Sequence, residues 1–428
     1  MNPIRIPDDT RSLHAIGNYI MNFEVWQNAF VNALVNRVGL VMATSKLWNN
    51  KWAWMKRGTL ELGETVEEVF VNIAKVFSYD PATAEKQWMK RENPDVRAAF
   101  HTMNWQKFYK ITTEYVSLRQ CFLTWGGIND LLARIVEQLY AANNYDEYIT
   151  EKYMLCRSIL NGDITAVVNP VAINTTAGKQ NLIAMMRGYS NDFEFESSKY
   201  NMAGVYNYCE KANQHYVIDN FLSGEIDVEV LAAAFNMEKA EFMGHMHTIN
   251  GWDEHDNARL AELFANDSTY TPFTSGEISK LASVQCLLCD RDFPMIFDNV
   301  YETRRGENGE GMYWQHWLHS WKTFSLSPFA NALVIVETST VTSVTVSPAS
   351  VTLSAGGQQQ FTATVAGTGI FSKNVTWSIS GQVSSDTHID GYSGVLVIGA
   401  DEPNGTITVT GMSVQDNTKT GTSTVTVS

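Results

Sequence analysis

From Thr338 onward the chain changes alphabet, and that change constrains the fold more tightly than anything else in the sequence. Val341–Ser428 holds 29 Ser and Thr in 88 residues, with no cysteine, no arginine and a single tryptophan, Trp377. Apolar and hydroxyl residues alternate in Val344–Val346, Phe361–Val365, Val375–Ile379, Ile407–Val409 and Val425–Val427. Turn residues divide these runs at Pro348, Gly356-Gly357, Gly391, Gly394, Asn404-Gly405 and Gly421. Period-two runs at this spacing can bury only one face each, which predicts a small β-sandwich with Trp377 in its core. The Ser/Thr load is explained by exposed β faces, where threonine is favoured.

The preceding residues follow other periods. From Thr124 to Gly162 the apolar residues recur every three or four positions with no proline, through Leu139, Tyr148, Ile149, Cys156 and Ile159. Asn161-Gly162 supplies a left-handed stop, so one long helix is expected, with Asn143-Asn144 as the place where it could bend. Asn18–Val41 is also helical in period, behind an N-terminal stretch without pattern. Thr65–Phe77 alternates as a strand, placing Val69, Val71 and Ile73 on one face. Asp80-Pro81 would cap a short helix ending before Pro94, and Phe100–Val116 reads as a second strand. Together these predict a long two-stranded arm placed before the long helix.

Beyond Gly162, Val167–Ile173 reads as strand or loop, Leu182–Arg187 as a short helical turn, and Tyr200–Asn220 is ambiguous. Val228–Phe235 and Met237–Met243 suit two short helices capped by Asp227 and Asn236. Val284–Leu288, Phe293–Phe297 and Phe329–Val336 read as buried strands, and Arg304–Gly311 as a charged hairpin tip.

Net charge is −15 and the pI is near 5.1, so the surface as a whole repels nucleic acid. That disfavours a genome-coating protein, though not a shell that encloses a genome. The first ten residues carry Asp8 and Asp9 where a secretory signal needs an apolar core, and no run reaches the length of a membrane span. Five cysteines without an export signal suit reduced thiols in a cytoplasmic setting.

Motifs that could carry chemistry are sparse. Cys286-Leu-Leu-Cys289, with His245, His247 and His255 upstream, has part of a zinc spacing, but no second pair. Residues three apart on a strand face opposite sides, which favours buried thiols. Trp314, His316, Trp317, His319 and Trp321 could stack on bases or sugars, yet the lack of surrounding basic residues favours packing. Asp253, Glu254 and Asp256 beside His255 could serve acid–base chemistry or simply form a solvated acidic turn. Ala177-Gly178-Lys179 lacks the rest of a phosphate loop. The expectation is a chain with no catalytic residues, no metal and no cofactor.

Several segments, taken in order, resemble the major capsid protein of phi-29-like short-tailed phages. They are LVNRVGLVM (Leu34–Met42), KRGTLELGETVEEVF (Lys56–Phe70), CFLTWGGIN (Cys121–Asn129) and IDVEVLAAAFNMEKAEFMG (Ile226–Gly244). DRDFPMIFDN (Asp290–Asn299) and GMYWQHWLHSWKTFSLSPFANALVIV (Gly311–Val336) follow. The tail, with GGQQQFTATV inside Val344–Val365, is similar to bacterial Ig-like domains of group 2. The resemblance implies an α+β, HK-97-like capsid fold with an all-β Ig-like sandwich behind it. Residues 1–38 would be an N-terminal arm and 39–337 the capsid core. Within that core an extended loop would occupy about 56–118, a spine helix 124–162, an axial domain 163–300 and return strands 312–337. Residues 338–428 would form the Ig-like domain. It also implies self-assembly into an icosahedral head around double-stranded DNA without specific DNA binding, with scaffolding and portal partners and no membrane. The site of action would be the virion, reached by assembly in the host cytoplasm, and the Ig-like domain would sit outside, where it could meet host-surface glycans. The alternative from another class is a surface adhesin that displays an Ig-like domain.

Overall fold

The computed structural model describes residues 47–74, 76, 93–114, 125–231 and 245–428. The expected N-terminal arm and helix, the short helix after Asp80-Pro81 and the helix at Met237–Met243 lie outside these residues. The chain divides into two compact units. The smaller contains Phe108–Asn144 and Glu302–His319, and the larger contains Asn50–Lys107, Tyr145–Tyr301 and Ser320–Ser428.

Strands β1 (Lys56–Thr59), β2 (Val66–Val71), β3 (Val96–His101) and β4 (Trp105–Glu114) precede helix α1 (Trp125–Asn161). The predicted strand at Phe100–Val116 is two strands. Its alternation hides a break at Thr102–Asn104, where Asn104 acts as a strand partner through its side chain. Its Nδ2 donates to the Phe324 carbonyl at 2.8 Å and its Oδ1 accepts from the Phe324 amide at 2.9 Å. β2 and β3 pair antiparallel with Val66 opposite His101 and Val71 opposite Val96, while β4 joins a different sheet.

Helix α1 is continuous for 37 residues, through Asn143-Asn144. It stops at Gly162, whose φ of 77° only glycine adopts freely. The amides of Gly162 and Asp163 turn back to the carbonyls of Ile159 and Ser158 at 3.1 Å each. As a spine, α1 would be expected to leave one face free, but its second half does not. All seven residues from Asp146 to Lys152 are buried, two full turns around the circumference. They tolerate this because Asp146, Glu147 and Lys152 are bonded to Arg259, Lys322 and Asn250, while burial pushes the Glu151 carboxyl toward its neutral form.

β5 (Thr165–Val168) and α2 (Thr176–Asp192) follow, then β6 (Gln214–Asp219), α3 (Asn220–Leu231) and β7 (Met246–Ile249). The apolar turn read at Leu182–Arg187 is the middle of a 17-residue helix, with Thr175 capping its start by accepting from the Gly178 amide at 3.0 Å. α3 begins earlier than expected, and Asp227 lies inside it. The cap is Asp219, whose Oδ1 accepts from the Phe221 amide at 2.8 Å.

β8 (Val284–Asp290), β9 (Pro294–Asn308), β10 (Tyr313–Leu326) and β11 (Ala332–Val336) complete this part of the chain. The charged loop read at Arg304–Gly311 is mostly strand. β9 runs on to Asn308, with Arg305 lying 3.6 Å over the Trp314 ring. The reversal is left to residues 309–312, where Met312 takes a φ of 49°.

A five-stranded sheet runs β5-β11-β8-β6-β7. Every residue of β8 and β11 is buried, which is why their sequences read as continuous apolar runs. Their side chains alternate between two clusters. Ala332, Val334 and Val336 join Tyr148, Ile149, Leu155 and Ile159 of α1 on one face. Leu333 and Ile335 join Leu182 and Met186 of α2 on the other. Cys286 and Cys289 fall on opposite faces of β8, each buried in a different cluster.

β12 (Ser339–Ser347) opens the Ig-like sandwich, followed by β13 (Ser350–Leu353), β14 (Gln358–Gln360), β15 (Thr362–Gly369) and β16 (Val375–Ser380). β17 (His388–Ile389), β18 (Val395–Val397), β19 (Gly405–Ser413) and β20 (Thr420–Val427) close it. The strands form β12-β15, β13-β20-β19-β16 and β14-β18-β17. Trp377 is buried among Phe361, Leu396, Ile407, Val409 and Val425, as the alternation predicts. Along β20, Ser423, Val425 and Val427 point inward while Thr422, Thr424 and Thr426 face solvent.

Candidate functional site

The residues singled out for chemistry are dispersed into structural roles. The Cys286 and Cys289 thiols are held well above the ordinary thiol range by burial, hence protonated and unreactive. No group of three or more His, Cys, Asp or Glu able to hold a metal ion occurs among the described residues. Asp256 caps the helix Asn257–Leu263 by accepting from the Arg259 amide at 3.0 Å, and it also accepts from the Tyr145 hydroxyl at 3.0 Å. The Glu254 carbonyl takes a bond from Lys152 at 2.5 Å, and His255 stacks on Phe273 with centroids 4.1 Å apart. The Asp256 carboxylate therefore serves capping and His255 packing, while Asp253 and Glu254 are exposed. In the smaller unit, Trp314 lies under Arg305, and His319 packs on Phe108 at 5.8 Å between centroids. Gly306 leaves room for Trp317, since a Cβ there would sit 2.9 Å from the indole.

Three histidines are kept neutral. His215 and His247 share a hydrogen bond of 2.9 Å and each stacks on Trp54, at 4.3 and 4.4 Å between centroids. Burial first, then the neighbouring imidazoles, lower both to about 4. Burial, with Lys152 nearby, does the same for His255. In the unfolded chain these groups take up protons near pH 6.5. Their contribution to stability is thus complete above pH 6.5 and is lost as pH falls from 6.5 toward 4. Thermal midpoints of the unassembled subunit should decline through that window, and His247→Asn should flatten the decline. An equally steep decline in the variant would contradict this assignment.

A buried ionic cluster joins α1 to β1, β9 and β10. Lys322, only 1% exposed, reaches Glu147 and Asp298 at 2.5 Å each. Lys56 binds the same two carboxylates at 2.9 and 3.1 Å. The attraction of Glu147 and Asp298 outweighs burial and raises Lys56. The two lysines likewise lower Asp298 against the opposing effect of burial. One turn along, Glu151 accepts from Asn50 at 2.9 Å while its other oxygen has no partner among the described residues. Burial, and then the Glu147 charge, push the Glu151 carboxyl well above its ordinary range. The folded chain therefore holds a proton that the unfolded chain releases above about pH 4.5. Stability from this group falls as pH rises beyond that point. Glu151→Gln should raise the thermal midpoint at pH 8, by more than at pH 5, and an equal or lower midpoint at pH 8 would contradict it. Sequence reading missed this cluster, because its partners lie 175 residues apart. The available signals were consecutive charges at Asp146-Glu147 and Glu151-Lys152 in an apolar helix, and Lys322 within an aromatic run.

The β2–β3 hairpin has two unlike faces. Inward, His101 binds Ser325 at 2.7 Å and Glu68 at 3.1 Å, Glu68 accepts from Ser327 at 2.7 Å, and Phe70 stacks on Phe329. Outward, Val69, Val71, Val96 and Phe100 are 53, 62, 50 and 65% exposed, and Ile73 extends the same row. Fully covering one such side chain is worth about 1.5–3 kcal/mol. The same face carries the exposed Glu67 opposite Phe100, and a largely apolar surface of this kind is one that a partner can cover.

The family described as Phi29-like phage major capsid protein matches residues 6–336, and bacterial Ig-like domain (group 2) matches residues 340–425. The chain is 31% identical over 393 residues to the major capsid protein of Bacillus phage PZA, covering 91% of this chain and 81% of that one. It is 32% identical over 394 residues to the major capsid protein of Bacillus phage B103, again covering 91% and 81%. Among solved structures, the capsid of Staphylococcus phage Andhra superposes with a TM-score of 0.55 at 15% identity, covering 70% of this chain and 87% of that one. At that identity the likeness concerns fold alone, a mixed α+β capsid fold. The match across residues 6–336 leaves the adhesin reading without a basis. The chain belongs to the Phi29-like phage major capsid protein family and carries a group 2 bacterial Ig-like domain behind the capsid region.

Proposed function

We propose that this chain is the repeating subunit of an icosahedral head that encloses double-stranded DNA, with the HK-97-like division of labour. Residues 56–118 act as the extended loop and α1 as the spine. Residues 163–300 form the axial domain, and the return strands lie in 312–337. The observation that carries this reading is the outward apolar face of β2–β3, since its exposure suits a surface that a neighbouring copy covers. An acidic chain of net charge −15 suits a wall that surrounds DNA without gripping it. Scaffolding and portal proteins are the expected assembly partners, and the host cytoplasm is the expected place of assembly. The Ig-like domain is displayed outward, where host glycans are its candidate contacts.

Co-expression with the scaffold of the same phage, followed by electron microscopy, tests this. Closed shells are expected. Dispersed subunits under every assembly condition would overturn the proposal.

A further inference from the structure

Where the Ig-like domain meets the rest of the larger unit, the contact is specific rather than a tether. Arg97 of β3 projects from the inner face of the hairpin into this seam. Its guanidinium binds Asp95 at 3.2 Å and donates to the Ala203 carbonyl at 2.7 Å. On its remaining side it meets the Ig-like domain, with Asp390 at 3.5 Å and the Tyr392 ring centred 5.5 Å away.

The Tyr392 ring lies against Gly204, so close that a Cβ at 204 would fall 1.8 Å from it, and the Tyr392 side chain also shares a hydrogen bond with Ser198. Gly204 takes a φ of 62°. A side chain at 204 would be strained by backbone and ring together. The seam is pinned a second time at the end of α1, where the Lys373 amide donates to the Gly162 carbonyl at 3.0 Å. Next to it, Ile370 is 2% exposed and packs within the same apolar cluster as Leu155 and Ile159.

We propose that the Ig-like domain is an intramolecular clamp on the β2–β3 arm: Asp390 and Tyr392 hold Arg97 and so fix the arm's position before any neighbour is met. A two-stranded ribbon is marginal by itself. Three of the four groups around Arg97 lie off its own hairpin, and two of them belong to the Ig-like domain. Presenting an apolar face in one fixed orientation lowers the ordering cost of whatever covers it. The clamp belongs to the single subunit and stands whether or not shells form.

Amide hydrogen exchange on the full-length, unassembled chain tests it. Tyr392→Ala removes the ring. Asp390→Asn removes the charge, while the amide oxygen can still accept from the Tyr392 and Ser393 amides, which the carboxylate now binds at 2.9 and 2.7 Å. Gly204→Val displaces the ring from the opposite side. In each variant exchange across residues 66–71 and 96–101 is expected to quicken by about fivefold or more, with residues 405–413 changed by less than about twofold. Unchanged exchange of the arm in all three variants would overturn the clamp. So would an equal quickening of the arm and the Ig-like strands in all three, which would signify general loosening.

Discussion

Glu147→Ala is expected to be the most damaging single substitution in the larger unit, lowering the stability of the unassembled subunit by about 3–5 kcal/mol. The carboxylate anchors both Lys322 and Lys56, at 2.5 and 2.9 Å. Without it two cations, one fully buried, share Asp298 alone. Removing one member of a buried ion cluster leaves uncompensated charge in low dielectric, which costs far more than an average hydrogen bond. Lys322→Met should be costly for the converse reason, since it strands Glu147 and Asp298 with only the half-buried Lys56. Combining Glu147→Leu with Lys322→Met should recover part of the loss, because the cluster's strength lies in mutual compensation. Urea denaturation of the three proteins decides this. Stability of Glu147→Ala within about 1 kcal/mol of the parent would contradict the buried cluster as described.

The second large effect concerns assembly and should leave the subunit intact. Val71→Asp together with Phe100→Asp places two charges on the outer face of the hairpin. Both positions are more than half exposed in the isolated chain. The fold should therefore change by less than about 1 kcal/mol. A neighbour that covers this face must instead desolvate two unpaired carboxylates at every repeat of the contact, at several kcal/mol each. Particles should be absent on a sucrose gradient, while the thermal midpoint and circular dichroism of the subunit match the parent. Normal particles from the double variant would remove the hairpin face from the interface.

What the sequence discloses follows from which interactions are local. The Ig-like strands were legible because period-two alternation is set within each strand, and Trp377 was the single tryptophan available to fill that core. The extent of α1 was legible from its uninterrupted apolar period and from Gly162. The enclosure of Asp146–Lys152 was not, since a charged pair in a helix ordinarily marks a solvated face. Only partners remote in sequence convert these residues into core. Asp146 finds Arg259 through two bonds of 2.8 Å, and Glu147 finds Lys322. The break between β3 and β4 was hidden for a similar reason, because Asn104 completes its bonds with Phe324, 220 residues away. The assembly surface was half visible. Alternation placed Val69, Val71 and Ile73 on one face, but only the packing of Phe70 and Glu68 establishes that the other face is the inner one. Nothing local marked Arg97, whose role depends on contacts with Ala203 and with Asp390.

A cryo-electron microscopy reconstruction of assembled particles would show what covers the outer face of the hairpin. Val69, Val71 and Phe100 should lie within about 4.5 Å of a neighbouring subunit's apolar side chains. A shell in which this face remains open to solvent would contradict that placement.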